Sequence, residues 1–297
     1  MSKAIRNLII FTVVAVACGF VGIALDRLPP PQDTMQGLGA LVWLTAPLAT
    51  ILLLRTFGGD GWKDFGLGLY LKTGWRWYLA ALLITPLVTL VTLGVASVFG
   101  VVTFGGFATQ GFGAFLPAFG VGLTTVMVKN IFEEFTWRGY LTPRFEAIKL
   151  HPYVSALLTG FIWAGWHVPY YLYFLNRETF VERTSLGVWE FILITFVVFP
   201  LIALTFGELR LLSKSVWPGW LMHNIANAVS LALISGNFIG LSRNFAGAIF
   251  SPGTEGVFIS LLMSLVGVAL YQARKNQAAI LPRTQTGILA FLRSTQK

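Results

Sequence analysis

Eight stretches of this chain, at residues 7–25, 37–54, 77–99, 114–135, 153–172, 189–206, 216–234 and 254–271, are long and apolar enough to cross a bilayer as helices. Lipid offers a backbone no hydrogen-bond partner, so a spanning segment must satisfy itself as a helix of about 20 apolar residues. The expected fold is therefore all-α: a polytopic membrane protein of about eight transmembrane helices, forming one domain over residues 1–297. Composition agrees, because 56% hydrophobic and 11% charged residues, with a mean hydropathy of +0.74, are too apolar for an ordinary soluble domain. Several segments contain Pro or Gly, which spanning helices tolerate.

The basic residues set an orientation. With the N-terminus in the cytoplasm, sixteen Lys and Arg residues fall on that side, four (Arg27, Arg177, Arg183 and Arg243) fall on the other, and Lys129 lies within a span. Such a bias predicts eight spans with both ends cytoplasmic, in the plasma (inner) membrane if the source is bacterial. It also accounts for the net charge of +9, which is therefore no nucleic-acid footprint. The first segment is expected to be a retained helix, since its apolar run is long for a signal peptide and no small-residue cleavage site follows.

The rest of the chain narrows the choices. The single cysteine, Cys18, lies inside the first apolar segment, which excludes an internal disulfide and argues against a thiolate nucleophile. No loop is long enough to hide a soluble domain, and there is neither an internal repeat nor a glycine-rich phosphate loop. Residues 57–76, with Trp62, Lys63, Lys72 and Trp75 among glycines, read as a headgroup-level segment on the cytoplasmic face. The basic tail at 272–297, with Leu289, Phe291 and Leu292, reads as a surface-lying amphipathic piece.

Against this background five groups stand out: Glu133, Glu134, Arg138, His167 and His223. A charge at the bilayer centre costs about 2.5–3.5 kcal/mol even on the lenient insertion scale, so charges retained there mark a site by default. On a helix Glu134 and Arg138 are four residues apart and share a face, with the acid N-terminal to the cation. Glu133 is rotated about 100° from that pair and free of it, which assigns Glu134 to support and Glu133 to chemistry. A helix end in the headgroup region would also carry two acids and an arginine.

Two of the three histidines lie inside apolar segments. Trp163 precedes His167 by one helical turn and Asn227 follows His223 by one, so each imidazole has a partner on its own helix face. His151, before Pro152 in a cytoplasmic turn, has no assigned role. A glutamate, two histidines and an asparagine can support hydrolysis in two ways. They can activate water and polarise a carbonyl directly, or they can hold a metal that does both.

Glu133-Glu134-x-x-x-Arg138, Trp163-x-x-x-His167 and His223-x-x-x-Asn227, in that order on three apolar segments, resemble the motifs of the CAAX prenyl endopeptidase and bacteriocin-processing (abortive-infection-type) family of intramembrane proteases. Arg138-Gly139-Tyr140-Leu141, His167-Val168-Pro169 and Trp217-Pro218 fit as flanking text. The resemblance covers about 120–235, within a motif-bearing core at about 114–235. It implies a catalytic cavity between helices 4, 5 and 7, in which Glu133 and His167 activate water while His223 and Asn227 stabilise the oxyanion. Glu134, Arg138 and Trp163 would support them, Trp163 standing where the family usually has phenylalanine. The family has also been read as metal-dependent, which would make Glu133, His167 and His223 the ligands and zinc the ion. The chain lacks the His-Glu-x-x-His spacing of a preformed zinc helix.

The implied partners are the lipid bilayer and a membrane-associated or lipid-modified peptide or protein substrate, reached through a pocket open to the cytoplasm or sideways into lipid. Prenylated carboxyl-terminal peptides are the family's best-known eukaryotic target, but no residue here identifies prenyl recognition. Two other classes use the same residues. One is a proton-coupled transporter, which would commonly show two related halves. The other is a non-catalytic membrane adaptor, for instance in immunity to a secreted peptide. One point of geometry is open: counting about 1.5 Å per residue places His167 roughly 10 Å deeper than Glu133 and His223.

Overall fold

The computed structural model describes residues 2–28, 33–253 and 255–294, the side chains at 183 and 278–294 excepted. Long helices dominate: α1 (Lys3–Asp26), α2 (Leu38–Thr56), α3 (Leu71–Val98), α4 (Phe112–Thr136), α5 (Pro152–Pro169), α6 (Val188–Ser213), α7 (Trp217–Ser235) and α8 (Val257–Ser294). Short helices lie in the connections, and the described residues contain one two-stranded antiparallel pair, Val102–Thr103 with Gly240–Leu241. The helix of the tail continues α8 to Ser294, while the side chains of Leu289, Phe291 and Leu292 lie outside the described residues.

Six helices among the described residues are long and apolar enough to cross a membrane: α1, α2, α3, the continuous run Phe112–Ala147 that begins with α4, α6, and α8 over Val257–Gln277. This is the pattern of a polytopic integral membrane protein. The other two expected spans, α5 and α7, are helices of 18 and 19 residues but fall outside that set. Their position explains the difference. Both carry the histidines and are largely buried by neighbouring helices, so they need not be apolar by the standard of a lipid-facing surface. Lipid-facing leucines and valines such as Leu90, Leu193 and Val197 sit instead on α3 and α6.

Packing follows the small residues and the prolines. α1 lies along α2, α5 along α6, α6 along α8 and α4 along α7. At the α5–α6 contact a Cβ on Gly160 would stand 2.2 Å from the backbone nitrogen of Pro200, so the helices can approach only because glycine has none. Gly160→Leu is expected to force them apart, at a cost of about 1–3 kcal/mol or more. The loss should appear as a lower unfolding temperature in detergent.

The helix ends are fixed locally. Ser2 accepts the backbone N–H of Ile5, and Pro152 and Pro218 stand in the first turns of α5 and α7, where a missing N–H costs nothing. His151 is the N-cap of α5, its Nδ1 3.4 Å from the Tyr153 nitrogen. Both motif-bearing helices α4 and α5 run into five-residue π-helical turns, Trp137–Leu141 and Tyr170–Phe174. Such turns add a residue to the helical repeat and re-aim the side chains around them.

The segment 57–70 is more than a headgroup-level strip. Phe65 is buried under Gly139, Tyr140 donates to Asp60 at 2.7 Å, and Arg55 pairs with Asp64 at 2.8 Å. Arg210 donates to the Asp64 carbonyl at 2.6 Å, and Trp217 to that of Leu67 at 2.8 Å. Arg144 is ion-paired with Asp64 as well. The segment thus closes the end of the bundle where α4 and α6 finish and α7 begins.

Candidate functional site

The site forms where α4, α5 and α7 meet. Glu134 and Arg138 pair at 2.9 Å, as their spacing requires, and both are buried. The guanidinium also lies over the rings of Trp163 (4.5 Å) and Phe206 (4.1 Å), so two aromatic faces share a charge that no water reaches. The same Glu134 oxygen accepts from His223 Nδ1 at 2.9 Å, tying α4 to α7. Since a carboxylate can only accept, this bond puts a proton on Nδ1 and leaves Nε2 for the cavity side.

Glu133 is not free, contrary to the expectation from its helix position. One oxygen is ion-paired with Lys129 and the other accepts the indole N–H of Trp163 at 2.7 Å. The physical reason is burial: with 1% of its surface exposed, an ionised carboxylate needs both partners. Trp163 therefore acts through its N–H, which a phenylalanine lacks. His167 donates through Nδ1 to the Trp163 carbonyl at 3.0 Å and packs edge-on to Phe199 with ring centres 5.0 Å apart. Its Nε2 is again the nitrogen left for chemistry.

Asn227 does not pair with His223, its neighbour one turn away. Its amide donates to Asn130 Oδ1 at 3.2 Å, and Asn130 donates to Asn224 Oδ1 at 3.0 Å. This chain of amides pins α4 to α7 and orients Asn227, whose second N–H remains for a ligand. Lys129, Asn130 and Asn224 were not singled out in the sequence, although a lysine and an asparagine inside an apolar segment, one turn before the acids, carried the signal.

Glu133, Trp163, His167, His223 and Asn227 all border one cavity of about 1020 Å³ including its mouth. The separation in depth inferred for His167 is bridged by Trp163, which reaches back to Glu133 from one turn away. The mouth is lined by Thr184 and Leu186 of the α5–α6 connection and by Ser235, Ser251 and Glu255 at and beyond the end of α7, on the face opposite the segment 57–70.

The arrangement gives the zinc reading no support. Among the described residues no three His, Cys, Asp or Glu side chains come together as a metal-ligand set.

Ionisable side chains gathered into a cavity within apolar helices mark a candidate functional centre in a polytopic membrane protein. Residues 117–229 match the family model described as type II CAAX prenyl endopeptidase Rce1-like. That region contains every motif residue and is similar to the Rce1-like family, a family of intramembrane proteases. No curated protein matches the chain.

Proposed function

We propose that the protein is an endopeptidase that hydrolyses a peptide bond in a membrane-associated or lipid-modified peptide or protein, with Glu133 as general base. What supports this reading is that Glu133, His167, His223 and Asn227, drawn from three helices, border the same cavity. A water lying between Glu133 and His167 loses its proton to the carboxylate as it attacks the scissile carbonyl. The oxyanion that forms is met by the Asn227 N–H and by the His223 imidazole, which Glu134 holds at Nδ1. Glu133 then returns the proton to the departing amine.

Lys129 and Trp163 hold the carboxylate fixed in direction. A hydrogen bond to a charged group contributes about 1.5–3 kcal/mol. Trp163→Phe is therefore expected to lower kcat by roughly tenfold or more, with little change in KM. Steady-state cleavage of a membrane peptide in detergent checks this.

The topology accompanying this proposal has eight spans, α5 and α7 included, and both termini in the cytoplasm. Purified protein incubated with a panel of membrane peptides tests the function. His167→Ala and His223→Ala should each remove cleavage, and unchanged cleavage by either would break the assignment of roles.

A further inference from the structure

The cavity has a floor and a mouth, and they face opposite sides of the bundle. Its floor is the Glu133–Trp163–His223 cluster. Immediately behind that cluster the π turn after α4 is locked to the segment 57–70: Arg55 donates to the Gly139 carbonyl at 2.6 Å, and Arg210 to that of Arg138 at 3.1 Å. These guanidiniums are buried, and their partners include Asp64 and its backbone. A peptide entering from that end would have to break the hydrogen bonds of two buried guanidiniums.

At the other end the connections are drawn back around an opening. The strand pair Val102–Thr103 with Gly240–Leu241 ties two of them together. Arg243 donates to the Val181 carbonyl at 2.9 Å and Ser185 to that of Asn244 at 3.3 Å, which fixes the α5–α6 connection beside the α7–α8 one. Ser235, Ser251 and Glu255 form the rim between them.

The charge distribution says which side each end faces. Of the Lys and Arg residues whose side chains are described, thirteen lie at the sealed end and three on the mouth side, the latter together with six acids. Basic loops stay in the cytoplasm. We infer that the cavity opens to the extracytoplasmic face, so that the substrate class is exported peptides and the outward-facing juxtamembrane segments of membrane proteins, rather than cytoplasmic carboxyl-terminal tails. The substrate half of this inference rests on the proteolytic reading; the sidedness rests only on the sealed floor and the charges.

Single-cysteine accessibility separates the two. The native Cys18 is buried and gives no background. In intact cells a membrane-impermeant maleimide should label Ser251→Cys at the rim and Ser185→Cys beside it, whereas Lys63→Cys on the sealed face should label only after permeabilisation. The same cells should cleave an impermeant peptide supplied from outside, and prior labelling at Ser251→Cys should abolish that cleavage. Labelling of Lys63→Cys alone in intact cells overturns the sidedness. Outside labelling at both rim positions, with no peptide cleaved from either side of the membrane, upholds the sidedness and overturns the proteolytic reading.

Discussion

Arg138→Met should unfold the protein or lower its melting temperature more than any other single change at the site. Arg138 is the direct charge partner of Glu134, fully buried beside it and stacked on two aromatic rings. Removing one member of a buried ion pair strands the other, at a cost of about 3–5 kcal/mol, because the remaining carboxylate has lost water and gained nothing. His223 would inherit that carboxylate alone. Methionine fills much of the space of the arginine stem, so the loss is electrostatic rather than a cavity. Thermal unfolding in detergent should register it. Restoring neutrality with Glu134→Gln in the same chain should recover part of the stability, and that recovery distinguishes a stranded charge from general disruption of the helix contact.

Glu133→Gln should have the reverse profile: a protein of near-normal stability with very little activity. Glutamine keeps the shape of the side chain, and its amide oxygen can still accept the Trp163 N–H. The amide cannot take a proton from water, and general bases of this kind contribute about 10²–10⁴-fold to rate. The variant should still bind peptide, so the loss should fall in kcat. A comparable loss in KM would place Glu133 in binding rather than in chemistry.

These two residues also mark how far the sequence could be read. The pairing of Glu134 with Arg138 followed from spacing alone, because positions four apart on a helix share a face whatever surrounds them. The all-helical architecture was equally legible, since a bilayer leaves an apolar chain few alternatives. What spacing could not give was contact between helices. Of the two partners of Glu133, Lys129 was within reach of spacing but Trp163 is 30 residues away, and Asn227 looked like a companion of His223 because nothing local revealed Asn130 across the interface. Hydropathy is a weaker guide for α5 and α7, whose surroundings are protein. The position of the mouth was out of reach for a similar reason. It depends on how residues 57–70 fold under the π turn at 137–141, and neither stretch announces the other.

The central claim is that residues from α4, α5 and α7 jointly hydrolyse a peptide bond inside the bundle. The most direct measurement is mass-spectrometric identification of products when purified protein, reconstituted in vesicles, is given membrane peptides. The account predicts fragment pairs whose masses add up to the substrate plus one water, formed by the wild type and absent with Glu133→Gln and with His167→Ala. The same fragments appearing at the same rate with either variant would contradict it.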